Sequence, residues 1–429
     1  MPAVNNPTPW RWIPTLYFGQ GLPYVVVMTL AVVMYKNLGV SNTEIALYTS
    51  WLYLPWVIKP LWSPLVDLLG TKRRWIVGLQ FIIGASFAMV ALTLPAPKVL
   101  QMTLAVFWLM AFASATHDIA ADGFYMLSLS QNKQAAFVGV RSTFYRMAMI
   151  GGQGGLVYFA GWLQERTGNV VQAWTYVFWL MAALFTLLAC YHFWALPKPA
   201  GDGPVPRSAN FLGDFAKVFA AFFKKPEIVR ILAFLLLYRF AEAQLLKLVT
   251  PFLLDPVSAG GLGLRTQDVG IAYGTVGIAA LTVGGLLGGW VISRGGLKKL
   301  LWPLVLCMHV PNTIFIALAV WQPSSLWLVS AAVAVEQFGY GFGFTAYMVF
   351  MLMVAGGANG SAVHRTAHYA LCTGFMALGM MLPGMWSGWL QEQLGYVNFF
   401  IWACVATIPS FVAAAFIRIP PEFGRKVEA

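Results

Sequence analysis

Apolar stretches long enough to cross a lipid bilayer follow one another along almost the whole chain, separated by short polar turns, and no other feature constrains the fold as tightly. About 20 helical residues span the hydrocarbon core, where no water is present to satisfy a bare backbone N–H or C=O, so each run has to be a helix that satisfies its own. Composition agrees. With 59% hydrophobic and 10% charged residues and a mean hydropathy of +0.71, the chain lies outside the range of soluble globular proteins.

Twelve helices are expected, over about 12–36, 44–69, 75–95, 100–129, 135–163, 172–196, 229–254, 267–293, 299–321, 325–355, 361–391 and 395–418. They are called helices 1 to 12. The first is read as an uncleaved span, because its apolar run continues too far for a signal peptide. Between helices 6 and 7 the polar segment 197–228 begins as a linker. It continues with Phe211, Phe215, Phe219 and Phe222 at helical spacing beside Lys217, Lys224 and Lys225, an amphipathic helix expected to lie along the membrane surface.

The net charge of +12 is explained by where the basic residues sit. With the N-terminus in the cytoplasm, Arg11, Lys72, Arg73, Arg74, Lys133, Lys198, Arg207, Lys217, Lys224, Lys225, Arg230, Arg294, Lys298, Lys299, Arg365, Arg418, Arg425 and Lys426 share one side, and only Lys36, Lys98, Arg166 and Arg265 remain on the other. The positive-inside rule then places both termini in the cytoplasm, and nucleic acid is not needed to account for the charge. The four cysteines fall within apolar runs with neither CxxC nor His/Cys metal spacing, so no disulfide framework, metal site or cofactor is expected. Phosphate-cradling loops and Ser/His/Asp or HExxH arrangements are missing, which argues against an enzyme.

The octamer Gly161-Trp-Leu-Gln-Glu-Arg-Thr-Gly168 recurs as Gly388-Trp-Leu-Gln-Glu-Gln-Leu-Gly395, an offset of 227 that also sets Lys72 on Lys299 and Gln20 on Lys247. Six helices have been duplicated. The expected organisation is a six-helix half over 1–196, the linker over 197–228 and a second half over 229–429, related by a pseudo-twofold axis. This is the twelve-helix, all-α architecture of major facilitator transporters, in which substrate binds near the membrane midplane.

Charges within spans are functional candidates because burying them is costly. In Ser114-Ala-Thr-His-Asp-Ile-Ala-Ala-Asp-Gly123, Asp118 and Asp122 share a helix face, with His117 alongside, and this acid pair is the candidate proton-coupling site. His117 fits a proton relay or a hydrogen-bonded core residue equally well. Arg146 on helix 5 needs a carboxylate, for which Asp118 and Asp122 are nearest in sequence, whereas Arg141 is close enough to the cytoplasmic end to snorkel. Helix 7 carries Arg239, Glu242 and Lys247. In helix 10, Glu336, Tyr340, Phe344 and Tyr347 form a stripe suited to a sugar ring, although such stripes also occur in ordinary packing. Gln20, Arg146, Glu242, Lys247, Glu336, Tyr340 and Phe344 are therefore the candidate substrate-binding residues. Asp67, Arg73 and Arg74 after helix 2 are candidates for a cytoplasmic gate, and ordinary positive-inside charge also suffices for the two arginines. His364 and His368, with no acid or cysteine nearby, are expected to be solvated rather than metal-binding. Gly151/Gly155, Gly284/Gly288, Gly285/Gly289 and Gly339/Gly343 are expected at close helix contacts.

Gly19-Gln-Gly-Leu-Pro23, Lys59-Pro-Leu-Trp-Ser-Pro-Leu-Val-Asp67, the helix 4 segment, Tyr145-Arg146, Tyr238-Arg239-Phe-Ala-Glu242 and Thr250-Pro-Phe-Leu253, in this order, resemble the AmpG-type muropeptide permeases. The resemblance implies a monomeric, multi-pass protein of the bacterial inner membrane that imports 1,6-anhydro-muropeptides with protons. Carried over by position, Asp118 and Asp122 are its acid pair and Arg146 their partner. The chain departs from the pattern at His117, at Gly123 and at Glu242. The same broad group includes acetyl-CoA and siderophore carriers, and a sensor or membrane enzyme is the reading from a different class.

Overall fold

The computed structural model describes residues 8–199, 201–203, 211–356, 362–421 and 423–424, which contain no β-strand. Among them the twelve expected helices are present: 13–37, 42–68, Lys72–Thr93, Val99–Ser128, 131–167, Val170–Ala195, 228–254, Thr266–Gly295, Leu297–Trp321, Leu326–Gly356, and a run from Ala362 to Phe416 that turns at Gly395. The linker adds a helix over Phe211–Phe223. Large apolar side chains such as Trp194 and Trp327, each 82% exposed, face outward along these helices, as a bilayer rather than water requires.

The repeated octamer has a structural reason. Gly168 (φ 63°) ends helix 5 and Gly395 (φ 74°) ends helix 11, and each holds the left-handed conformation that a side chain resists. The duplicated segment is thus a pair of helix hairpins. Ends elsewhere are capped: the Thr71 side chain accepts from the Arg74 amide at 3.1 Å, and the Asp202 carboxylate accepts from the Lys72 and Arg73 amides at 2.7 and 3.1 Å. An anion at a helix N-terminus is favoured by the unpaired amides there.

Several helices are irregular. Helix 7 breaks at Tyr238–Arg239 between Ile228–Leu237 and Phe240–Leu254, and Ser410 donates toward the freed carbonyls of Leu237 and Tyr238, 2.9 Å from each. Helix 2 breaks between Trp51 and Leu54. Wider i→i+5 turns occupy Val26–Leu30, Ile150–Leu156 and Gly270–Gly277. Such turns concentrate at functional positions.

The chain divides into two compact units, one made of Met1–Leu38 and Leu61–Ser208, the other of Gly39–Pro60 and Ala209–Ala429. The first part of helix 2 therefore packs with the second unit. Helix 11 receives it on glycines: a Cβ at Gly388 would overlap the Asn42 carbonyl, and one at Gly384 would stand 2.6 Å from Ser50 Oγ. Gly284 and Gly288 meet the helix 10 backbone, and Gly339 and Gly343 meet helix 9. Gly151 and Gly155 do not make the expected contact, since a Cβ at Gly155 would meet nothing within 4 Å. Gly152 sits against Val25 instead.

In the first unit one apolar core gathers Trp12, Leu16, Tyr17, Ile76, Ala120 and Phe124. The second unit has two. One contains Phe234, Tyr238, Tyr340, Tyr347 and Phe350, and the other contains Leu248, Phe252, Val333, Phe315 and Phe400. Helix 7 joins both, and Arg239, Glu242 and Gln244 fall between them. Glu336 and Gln337 fall between them on helix 10. The linker helix inserts Phe222, stacked 6.1 Å from Phe375 and edge-on to His368. His368 is therefore buried in a core contact and not solvated as expected.

Candidate functional site

The first unit holds a charge pair near its basic end. Asp122 lies six residues before the end of helix 4, about 9 Å along the axis. It pairs with Arg141 at 3.0 Å, accepts from the Tyr17 hydroxyl at 3.3 Å, and the Arg141 guanidinium covers the Tyr17 ring at 4.6 Å. The side chains of Asp122 and Arg141 are 39% and 33% exposed. Asp122 is therefore both solvated and compensated by Arg141, the arginine that the sequence left to snorkel. Asp118 and Arg146 are half-buried on the same two helices.

A second polar chain runs through the interior of this unit. His117 Nε2 meets the Gln80 amide nitrogen at 3.1 Å, Gln80 Oε1 accepts from His192 Nδ1 at 2.8 Å, and His192 Nε2 meets the Thr15 hydroxyl at 3.0 Å. His117, Gln80 and His192 are buried. With the amide nitrogen donating to His117 and the amide oxygen accepting from His192, Gln80 orients both rings, His117 accepting at Nε2 and His192 donating at Nδ1. A carboxamide does not take up and pass on a proton as an imidazole does, so the chain ties helices 4, 3, 6 and 1 together. Sequence spacing gave no sign of it, because His192 stands 112 positions from Gln80.

At the basic end Arg73 donates to the Phe193 carbonyl and, at 3.4 Å, to Leu196 O, capping helix 6. Arg74 is exposed. The side chains of Asp67 and His364 lie outside the described residues.

The second unit carries a different constellation. At the break in helix 7 the Arg239 guanidinium donates to the Tyr340 hydroxyl and lies over the Phe344 ring at 4.7 Å. Tyr347, from the same stripe, donates to Leu235 O at 2.5 Å and stacks on Tyr238 at 5.3 Å, so it belongs to the core. Lys247 donates to the Thr49 hydroxyl at 2.9 Å, and its ammonium lies 5.2 Å from the Tyr53 ring. Among the described residues no carboxylate pairs with Lys247, which is 4% exposed.

Glu242 and Glu336 are 0% and 1% exposed. Gln337 donates to Glu336 Oε2 at 2.9 Å, while the other oxygen of Glu336 and both oxygens of Glu242 have no hydrogen-bond partner among the described residues. Gln20, in the first unit, is also buried, and its carbonyl oxygen has no hydrogen-bond partner among the described residues. At the end of the second unit opposite the basic loops, Asn42 donates to Gln391, Tyr396 and Asp255 at 2.7, 3.0 and 3.2 Å, and Tyr396 donates to Asp255 at 2.5 Å. Beside this cluster the Thr43 hydroxyl donates to Glu392 at 2.5 Å. These bonds close the seat of helix 2. The described residues contain no group of His, Cys, Asp and Glu able to hold a metal ion.

A family model described as Major Facilitator Superfamily matches residues 15–363. The anhydromuropeptide permease of Escherichia coli K12 is 27% identical over 96% of this chain and 80% of its own length. Solved structures share the fold. The nucleoside transporter NupG aligns with a TM-score of 0.66 at 17% identity, covering 95% of this chain and 99% of that one. A POT family transporter in complex with 5-aminolevulinic acid aligns at 0.70 with 11% identity, covering 96% and 97%.

Proposed function

The chain belongs to the major facilitator superfamily, and on that footing we propose that it is a proton-driven permease importing anhydromuropeptides, or closely related wall sugar fragments, across a bacterial inner membrane. In this reading it acts as a monomer with both termini in the cytoplasm, the side on which the positive-inside rule puts the crowded Lys and Arg loops. It is a transporter and not an enzyme. The substrate class rests on similarity along nearly the full length to a permease of that name.

The observation that carries the reading is a pair of buried cations framed by aromatic rings: Arg239 with Tyr340 and Phe344, and Lys247 with Tyr53 and Thr49. A muropeptide offers sugar rings, whose C–H faces stack on aromatic side chains, and peptide carboxylates, which require cations in a dry site. Lys247 is bound to a neutral hydroxyl, so a substrate carboxylate arriving there meets an ammonium that no acid among the described residues has neutralised. Gln20 and Arg146 of the first unit remain candidate substrate-binding residues in this reading.

Uptake of radiolabelled N-acetylglucosaminyl-anhydromuramyl-peptide into right-side-out vesicles tests this directly. Accumulation against a gradient, collapsed by a protonophore, is the expected result. Absence of uptake, or uptake indifferent to the proton gradient, would sink the substrate claim or the coupling claim respectively.

A further inference from the structure

We propose that the Lys247 ammonium fastens the last turn of Asn42–Trp51 to the second unit, and that a substrate carboxylate, by taking that ammonium, releases the turn. The fastening rests on bonds within the second unit. The identity of the carboxylate rests on the function proposed above.

Within the stretch 39–60, Asn42–Trp51 is one helical piece of ten residues, about 15 Å long. The backbone leaves the helix at Leu52 and Tyr53 before Leu54–Leu68 resumes it. Different chemistry holds the two ends of the piece. At its first turn Asn42 and Thr43 bond to Asp255, Gln391, Glu392 and Tyr396, all permanent groups of the protein. At its last turn the Thr49 hydroxyl accepts from Lys247 at 2.9 Å, and the ammonium lies 5.2 Å from the Tyr53 ring just past the break.

Thr49 is set up as an acceptor. Its own proton is committed to the Ile45 carbonyl at 2.6 Å, so what its oxygen offers Lys247 is a lone pair. The surroundings are dry: Thr49 and Ser50 are 0% exposed and Lys247 is 4% exposed. Ser50 adds packing and no bond. Its Oγ has no hydrogen-bond partner among the described residues. It rests on Gly384, where a Cβ would stand 2.6 Å from Ser50 Oγ and 3.5 Å from the Lys247 side chain. The last turn therefore lies on a bare glycine, and the charged bond that reaches it among the described residues comes from Lys247.

A carboxylate cannot lie against this ammonium while the turn stays seated, because Thr49 and Tyr53 already occupy its surroundings and Lys247 is buried. An ammonium bonds a carboxylate more strongly than a neutral hydroxyl, so the exchange favours the ligand. Binding and release are then one event, and each biases the other by the same factor. The seated turn opposes the ligand, and the bound ligand opposes the seat. Gly384 presents no side chain for the turn to lift over.

A thiol placed under the turn reads its release. Ser50→Cys changes one buried atom on the face that rests on Gly384. Its reaction with N-ethylmaleimide, followed at that peptide by mass spectrometry in the purified full-length protein, is expected to be slow. Adding N-acetylglucosaminyl-anhydromuramyl-peptide should speed it at least about tenfold, the lower range for a charged hydrogen bond. The same fragment with its carboxyls esterified should leave the rate unchanged. Lys247→Met and Thr49→Val, each combined with Ser50→Cys, should react fast without any fragment and gain nothing from it. Where Ser50→Cys does not reach the membrane, Ala46→Cys takes its place, one turn earlier on the same face and 1% exposed. Reaction at the parent rate in both Lys247→Met and Thr49→Val would overturn the proposal, and so would a fragment effect that survives Lys247→Met. Fast reaction in both variants with no response to the fragment keeps the fastening and overturns the substrate reading. Fragment uptake by a protein whose two variants react at the parent rate is the reverse.

Discussion

The two units differ in how their buried charges and imidazoles are partnered. In the first, each polar group at the centre of the charge pair and of the His117 chain has its complement: Asp122 has Arg141 and Tyr17, and His117 has Gln80, which in turn has His192. In the second, Glu242, Glu336 and Lys247 lie in a dry layer with fewer partners than their charges call for. Saturated polarity stiffens a body, because each bond must break before the helices can shift. Unsaturated polarity waits for something that comes and goes, such as a proton or a substrate carboxylate. On the function proposed above, the second unit therefore carries the buried charges that wait for a ligand.

The strongest attempt to break this contrast removes the buried cation at the break in helix 7. Arg239→Met removes a buried guanidinium with its bond to the Tyr340 hydroxyl and its place over the Phe344 ring, worth about 1.5–3 kcal/mol for the charged hydrogen bond and about 2 kcal/mol for the desolvated cation–ring contact. Uptake per membrane-inserted molecule should fall by about a hundredfold or more, measured as initial rate in vesicles. A variant transporting near the wild-type rate would erase the distinction between the units.

Lys247→Met sharpens the binding half of the comparison. Loss of a charge-assisted bond to a substrate carboxylate is worth about 1.5–3 kcal/mol, so KM should rise about tenfold to a hundredfold for an anionic fragment. An uncharged analogue should be affected far less. Equal losses for both would reduce Lys247 to a structural role.

In the first unit the expected cost falls on stability. Gln80→Leu orphans both imidazoles, each a desolvated polar group worth about 1–3 kcal/mol, and should lower the thermal midpoint by several degrees while KM stays at the wild-type value. A raised KM with unchanged stability would move the His117 chain into the binding machinery. The smallest effect is expected from Asp122→Asn, since a half-exposed ion pair contributes about 1 kcal/mol or less. Its transport rate should stay within about fivefold of wild type, with the difference narrowing as ionic strength rises.

Most of the fold was legible because apolar length and turn chemistry act locally. Helices 3, 4, 6 and 10 end within a few residues of where hydropathy ends them, and the octamer repeat marks two hairpins whose last glycines need positive φ. The break in helix 7 was not legible. Neither Gly nor Pro stands at Tyr238–Arg239, and the carbonyls it frees are satisfied by Ser410, more than 170 positions away. The same limit explains the pairing of Asp122. Its greater depth suggested Arg146 as a partner of Asp118 or Asp122, but Asp122 lies close to the end of helix 4 and meets the arginine nearer that end of helix 5. Arg141 is ten residues into helix 5 and Arg146 is fifteen, which sets them about 15 and 22 Å from the end where Asp122 lies.

The seating of residues 39–60 on helix 11 has a consequence for any attempt to take the molecule apart. A nick in the linker would send that stretch off with the amino-terminal fragment, while Gly384, Gly388, Gln391 and Tyr396, which hold it, would stay with the carboxy-terminal one. Neither piece would be self-sufficient, and co-expressed fragments would have to trade this arm to regain activity, as in a domain swap within a single polypeptide.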